Sequence, residues 1–240
     1  MDNKKLNKAF VEHDHHVIYN TLARLEPETM FEHLQKWMLK DRVDVFLLLI
    51  QNQINIHFQN QYGETLLHIA AYKGLESMIV LLIRWGIDIN TKDSQGRTAL
   101  CLACKQKKTS IVWLLLQCGA NPEYSYDEPL PIRIAFKHNY IDHIRALLSL
   151  PLSYIPLHEF LSNAKVLELC IQRYPQYMSV TDRFGDTIMH RIVDKGSVDM
   201  LKMVLTYAPD LSLCNYHGET PLQLARNKNK SSMVQILEYY

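Results

Sequence analysis

No apolar stretch in these 240 residues exceeds six positions. Val45 to Ile50 is one such run, far short of the roughly 20 residues a helix needs to cross a bilayer, so membrane insertion is not expected. Met1-Asp2-Asn3-Lys4-Lys5 leads into no apolar segment, and no secretory signal is expected either. Charge of one sign is lacking as well: 26 Lys plus Arg face 25 Asp plus Glu. A nucleic-acid binder would carry a basic excess or a basic face. The short run Lys105-Gln106-Lys107-Lys108 supplies neither and reads as a solvated helix end. Cysteines number five, an odd count, and most fall in apolar helical patterns. Reduced, buried thiols in a cytosolic compartment suit that better than a disulfide framework.

Motifs for chemistry are similarly sparse. Cys101-Leu102-Ala103-Cys104 has no second pair to complete a four-ligand zinc site, and buried core packing explains both thiols. Glu12-His13-Asp14-His15-His16 is the densest group of ligand types, yet no following strand or partner motif gives it a context. It reads as a solvated segment. There is no glycine-rich phosphate loop. No metal, cofactor or catalytic residue is expected.

What the sequence does contain is a repeat. Gln61-Tyr62-Gly63-Glu64-Thr65-Leu66-Leu67-His68-Ile69-Ala70-Ala71 returns further along at a fixed interval, with Gly63 becoming Gly96, Thr65 Thr98, Leu67 Leu100 and Ala70 Ala103. The frame reappears at Asp182 to His190 and at Gly218-Glu219-Thr220-Pro221-Leu222. Each threonine sits where a helix should begin and its hydroxyl can cap the first turn. Pro221 then suits the first helical position. Gly63, Gly96, Gly185 and Gly218 fit a tight turn before the cap. Gly74 and Gly196 fit the turn between paired helices, and Gly86 and Gly119 the end of the second helix.

Period 33 with this Thr–Pro–Leu–His–x–Ala-like hallmark resembles the ankyrin repeat. Units starting at 60, 93, 182 and 215 match well. The resemblance implies an all-α solenoid of about seven stacked helix pairs joined by short hairpin turns, irregular in the middle. Residues 1–59 are expected to be degenerate pairs capping the stack, with Val45 in the place of Met78. Residues 60–123 hold two well-formed repeats, 124–181 degenerate ones and 182–240 two more including the C-terminal cap. The interval from Thr98 to Thr187 falls ten short of three full periods, and most of the shortfall lies between Leu148 and Ile155. A cut-down turn is expected there. His68 and His190 take the family's histidine position, tying one turn to the next.

The resemblance further implies a non-catalytic, monomeric module that binds a protein partner along a concave face. Mapped onto the clear units, the contact positions are Gln61, Tyr62, Glu64, Tyr72, Lys73, Ser94, Gln95, Arg97, Lys105, Gln106, Arg183, Phe184, Asp186, Tyr216 and His217. Asn90, with Leu82 eight before it and Asp88-Ile89 just ahead, resembles the target of the host asparaginyl hydroxylase. The same amide can instead stabilise its turn. Two other functions stay open: an adaptor recruiting an enzyme, or an enzyme built on His138, His143, His158 and Glu159 in the irregular middle. A degenerate stack rich in Lys, Asn, Ile, Gln and Tyr is similar to effectors of intracellular bacteria such as Legionella. That implies a cytoplasmic protein, secreted into the host cytosol if so. A poxviral or eukaryotic origin is the alternative.

Overall fold

The computed structural model describes residues 24–51, 55–123, 131–152, 155 and 157–240, together with positions 8, 9, 17, 20 and 21. The Glu12 to His16 cluster, most of the N-terminal part of the degenerate pairs expected over 1–59 and the segment 124–130 lie outside the described residues. Among those described there are thirteen α-helices and no strand. They are α1 Pro27–Leu39, α2 Val43–Gln51, α3 Leu66–Lys73, α4 Glu76–Arg84, α5 Ala99–Lys105, α6 Thr109–Gln117, α7 Pro131–Lys137, α8 Ile141–Leu148, α9 Ala164–Arg173, α10 Ile188–Lys195, α11 Val198–Leu205, α12 Pro221–Asn227 and α13 Ser231–Tyr239. Two 3-10 helices, Leu157–Phe160 and Pro175–Ser179, flank α9. The chain divides into two compact units, residues 1–135 and 136–240.

In the first unit, α1, α3 and α5 lie side by side, and α3 and α5 each pack on the helix that follows. The small side chains of Ala70, Ala71 and Ala103 are fully buried where those first helices meet. In the second unit α10 packs on α12 in the same way, while α9, α11 and α13 form the row behind. Met78, Ile79 and Leu82 of α4 and Met200, Leu201 and Val204 of α11 turn inward. Burying such a side chain contributes about 1.5–3 kcal/mol.

One backbone mark recurs even where the sequence marks have been lost. Asp41, Gly74, Lys107, Asn139 and Asn229 all take a left-handed conformation in the turn between paired helices. Asp41, Gly74 and Lys107 follow one another by a full period each, and Asn139 comes one position short of the next. The repeat register therefore runs through residues 27–51 and 131–148, which lack the glycine and threonine. Gly196 also sits in the turn between paired helices, but with extended backbone (φ −82°, ψ −179°).

The shortened connection is visible directly. Fourteen residues join α4 to α5 and fifteen join α11 to α12, but only eight separate α8 from the 3-10 helix at Leu157. The first helix of that unit is a single four-residue 3-10 turn, which packs on α9 and α10. Two tyrosines just after α9 hold the truncated connection. The buried Tyr174 hydroxyl donates to the Leu150 carbonyl and accepts from the Leu152 N–H at 3.2 Å. Tyr177 donates to the Leu152 carbonyl at 2.9 Å, and Arg173 Nε to the Leu148 carbonyl at 3.2 Å.

Adjacent repeats are clamped by histidine. His68 Nε2 lies 3.0 Å from the Arg97 carbonyl and Nδ1 lies 3.1 Å from the Thr65 N–H. A carbonyl only accepts and an N–H only donates, so the proton sits on Nε2 and the ring is neutral. His190 repeats this with the Glu219 carbonyl at 2.8 Å and the Thr187 N–H at 3.2 Å. Cys101 occupies the same position, and its thiol reaches only Thr98, at 3.5 Å. Gln223 caps Thr220 from there at 2.8 Å.

Three outcomes are expected in urea unfolding. Tyr174→Phe leaves a half-buried carbonyl and a buried N–H without their partner and should cost about 1–3 kcal/mol; an unchanged midpoint would remove the stapling role. Gly63 and Gly96 both have positive φ (71° and 74°), so alanine at either should cost about 1–2 kcal/mol. A Cβ at Gly63 would also stand 2.7 Å from the Ser94 nitrogen, whereas one at Gly96 meets nothing within 4 Å. Gly63→Ala should therefore be clearly the worse, and equal losses would count against the close approach. Burial holds the His68 pKa below its usual value. The unfolded chain takes up that proton near pH ~6.5 and the folded chain only at lower pH. Stability is thus full above the unfolded value and is lost as pH falls through it toward the lower folded one. His68→Gln should reduce the slope, leaving the part due to His33 and His143, which burial shifts in the same direction. An identical slope in variant and wild type would exonerate His68.

Candidate functional site

The hairpin tips are built by one device used four times. Asn60 Oδ1 accepts from the N–H groups of Tyr62 and Glu64, both at 2.9 Å. Asp93 does the same for Gln95 and Arg97, Asp182 for Phe184 and Asp186, and Asn215 for His217 and Glu219. The glycine three positions on closes each turn by donating back to the same residue's carbonyl, at 2.8–3.0 Å. Neighbouring tips are then joined: Ser94 N–H donates to the Tyr62 carbonyl at 2.9 Å, and Tyr216 N–H to the Phe184 carbonyl at 3.1 Å. These four Asn and Asp residues carried no role in the sequence-based expectations. Their recurrence as Asn60/Asp93 and Asp182/Asn215, each pair one period apart and each residue three before a glycine, was the available signal.

On this fixed backbone the side chains of Tyr62, Phe184 and Tyr216 stand 62%, 44% and 76% exposed. Gln61, Ser94, Gln95, Arg183 and His217 are exposed too, as are Tyr72, Lys73 and Lys105 at the first-helix ends, with Gln106 half-buried. Three expected contact residues are instead partly engaged within the fold. Arg97 binds the Asp93 carboxylate through Nε at 2.7 Å and a terminal nitrogen at 2.6 Å, and Asp93's side chain is wholly buried. Burial alone would raise that carboxyl's pKa; the hydrogen bonds from the Arg97 side chain and from the Arg97 and Gln95 N–H groups outweigh it and hold it low. Glu64 accepts from Asn60 at 2.9 Å and lies 4.0 Å from Arg97. Asp186 accepts from the Asn215 amide at 3.0 Å and stands 3.6 Å from Arg191.

In the second unit the tips and first helices enclose a groove of about 500 Å3, lined by Phe184, Asp186, Arg191, Asp194, Asn215, His217, Glu219, Leu224, Asn227 and Lys228. Arg191 is its organising cation. It bonds Asp182, lies 4.0 Å from Asp194 and sits 5.3 Å under the Phe184 ring, with Arg183 4.8 Å from the same ring. Lys228 bonds the Asp194 side chain, and Lys230 donates to the Asp194 carbonyl at 2.7 Å. In the first unit a groove of about 240 Å3 lies between α1 and the first hairpin, lined by Glu28, Phe31, Glu32, Gln35, Asn60, Gln61 and Tyr62.

The candidates for chemistry are dispersed. His138 is exposed and stacks on Tyr140, while His143 is buried, its ring 5.3 Å from Tyr140. His158 is half-buried on the 3-10 turn, and the Glu159 side chain lies outside the described residues. None of them lines either groove. Cys101 and Cys104 are buried, and burial pushes both thiols up, away from the thiolate form. Asn90 is half-buried, and its side-chain oxygen accepts from the Asn121 N–H of the following turn at 2.8 Å. That amide is a bridge between consecutive turns. No helix of the described residues is long and apolar enough to cross a membrane.

Comparison with known proteins agrees with this architecture. The ankyrin repeat domain of Bcl-3 superimposes with a TM-score of 0.72, covering 85% of this chain and 97% of that one at 21% identity. The human ASB11 ankyrin repeat domain gives 0.58, with 85% and 96% covered, also at 21% identity. At such identities the likeness concerns the fold. A curated ankyrin repeat protein of Rickettsia bellii is 27% identical over 84 residues, which span 35% of this chain and about half (47%) of that relative. The family described as "Ankyrin repeats (3 copies)" matches residues 36–126 and 86–156. That match takes in just over half of the sequence, including the glycine-free helix pair at 131–148: the chain belongs to the ankyrin repeat family.

Proposed function

We propose that this protein is a non-catalytic interaction module whose hairpin tips and first-helix ends hold a protein partner. The observation that carries this reading is the contrast within each tip. The backbone is fixed by several hydrogen bonds, while aromatic side chains at Tyr62, Phe184 and Tyr216 are left in solvent. Ordering costs are thereby met before binding, which favours affinity. Aromatic residues and arginine are also the types that dominate interface energetics. The contact set is Gln61, Tyr62, Tyr72, Lys73, Ser94, Gln95, Lys105 and Gln106 in the first unit. In the second it is Arg183, Phe184, Tyr216 and His217. Glu64, Arg97 and Asp186 contribute through their exposed edges while serving the fold. The module acts as a monomer in the cytoplasm.

A finer reading is that it works in a host cytosol as an effector of an intracellular bacterium. The composition and the Rickettsia bellii relative support that origin. An adaptor role would use the same surface and require a second binding face.

The test separates binding from folding. Tyr62→Ala, Phe184→Ala and Tyr216→Ala should each shift stability by no more than about 0.5 kcal/mol. Combined, they should abolish capture of partners from host-cell lysate, quantified by mass spectrometry. Arg97→Ala should behave oppositely and cost about 2 kcal/mol, because it strips a charged partner from a buried carboxylate. A triple variant that captures the same proteins as wild type would sink the tip surface as the binding site.

A further inference from the structure

Within each unit the joined tips form a short ladder with a directional rule. The N–H two positions before a tip glycine donates to the tip carbonyl of the hairpin before it, as Ser94 does to Tyr62 and Tyr216 to Phe184. Gln61 holds the same position in the first described hairpin, one period before Ser94, and its N–H has no partner among the described residues. The ladder is therefore open at this edge among those residues, and the groove of about 240 Å3 lies beside it.

The chemistry of that groove is one-sided. Phe31 forms an apolar floor, Tyr62 stands exposed at one wall, and Glu28 and Glu32, one turn apart on α1, carry the only charges that line it among the described residues. Both glutamates are exposed. Glu28 has no ion pair among the described residues, and Glu32 has only Lys36 at 3.9 Å, with both side chains largely in solvent. A solvated pair of that kind contributes little. Glu28 also favours the helix N-terminus from the first turn, but Glu32 stands beyond that turn. The groove thus holds two carboxylates, an aromatic face and a main-chain donor, with no lining cation among the described residues.

We infer that this edge of the first unit takes an extended basic segment of the protein partner, a main-chain carbonyl of that segment accepting from the Gln61 N–H and an arginine or lysine side chain lying between Glu28 and Glu32 against the Tyr62 ring. The carbonyl repeats the bond that each following hairpin makes with its predecessor. The cation meets both the carboxylates and the ring quadrupole, which act in the same direction. This rests on the reading that the tips bind a protein, and it names the chemistry of one part of that surface.

The experiment uses the whole chain and needs no known partner. A random dodecamer peptide library displayed on phage is selected on the immobilised protein. Enriched peptides are then titrated by fluorescence anisotropy against wild type, Tyr62→Ala, Tyr216→Ala, Glu28→Gln/Glu32→Gln and the surface control Glu76→Gln. Circular dichroism melts establish that each variant is folded. The expected result is enrichment of peptides with arginine or lysine whose affinity drops about fivefold or more in both Tyr62→Ala and Glu28→Gln/Glu32→Gln, but not in Glu76→Gln. Equal weakening by Glu76→Gln would reduce the effect to general charge and overturn the inference. Peptides that depend on Tyr62 or Tyr216 yet bind Glu28→Gln/Glu32→Gln as tightly as wild type would overturn it while leaving the tip surface intact. Peptides indifferent to both tyrosines would overturn both.

Discussion

A single side-chain oxygen organises each hairpin, and through the hairpins the relation of one repeat to the next. Asn60, Asp93, Asp182 and Asn215 each accept two backbone N–H groups across a turn that would otherwise leave those donors to water. The turn then offers its carbonyl to its neighbour, and the histidine of the preceding helix reaches forward to the carbonyl just before the next cap. Removing the Asx oxygen would loosen all three at once. The close approach at Gly63 and Gly185, where a Cβ would meet the nitrogen of the neighbouring hairpin at 2.7 Å, follows from the same geometry. Gly96 and Gly218 have nearly the same φ but no neighbour within 4 Å of that position. Conformation alone thus explains two of the four tip glycines; conformation together with contact explains the other two.

The histidine clamp is conditional on the residue at the third helical position. His68 and His190 span to the next turn, Gln223 caps only its own helix, and Cys101 does neither at full strength, its Sγ lying 3.5 Å from the Thr98 hydroxyl. The imidazole must stay neutral to serve, since its Nδ1 accepts from a backbone N–H that cannot reverse its role. A residue type associated with catalysis is thereby committed to holding repeats together.

Much of this was legible in the sequence because the repeat supplies its own control. Threonine caps, tip glycines and the αL glycines at 74, 86 and 119 stand where the frame puts them. Other features were hidden for physical reasons. A left-handed residue need not be glycine, and Asp41, Lys107, Asn139 and Asn229 accept the strain in the inter-helix turn. Ala208 is left-handed after the second helix α11, at the same interval after Gly119 that separates Thr187 from Thr98. The spacing of the threonines pointed to a missing stretch near Leu148. Nothing in the local pattern indicated that Tyr174 and Tyr177, well over half a repeat further on, would hold the shortened connection. Side-chain engagement was equally invisible. Arg97 looks like a free contact residue in sequence, and only the fold shows it committing two bonds to a buried carboxylate.

The frame position before each cap shows how shared architecture leaves room for different surfaces. It holds Glu64 and Arg97 in the first unit, a pair of opposite sign 4.0 Å apart. In the second it holds Asp186 and Glu219, of like sign. The Asn215 amide lies between them, donating to one at 3.0 Å and to the other at 3.3 Å. Arg191 balances Asp186, while Glu219 is held by the neutral amides of Asn227 and Asn215. These amides hold its carboxyl below the usual range without cancelling its charge. The first unit's tips therefore settle much of their charge among themselves, and the second unit's tips carry, beside exposed Tyr216, a carboxylate with no ion pair among the described residues. The fold fixes the backbone N–H of this position in every hairpin, while the sign of its side chain follows the neighbours it bonds, a buried Asp93 for Arg97 and the Asn215 amide for Asp186 and Glu219.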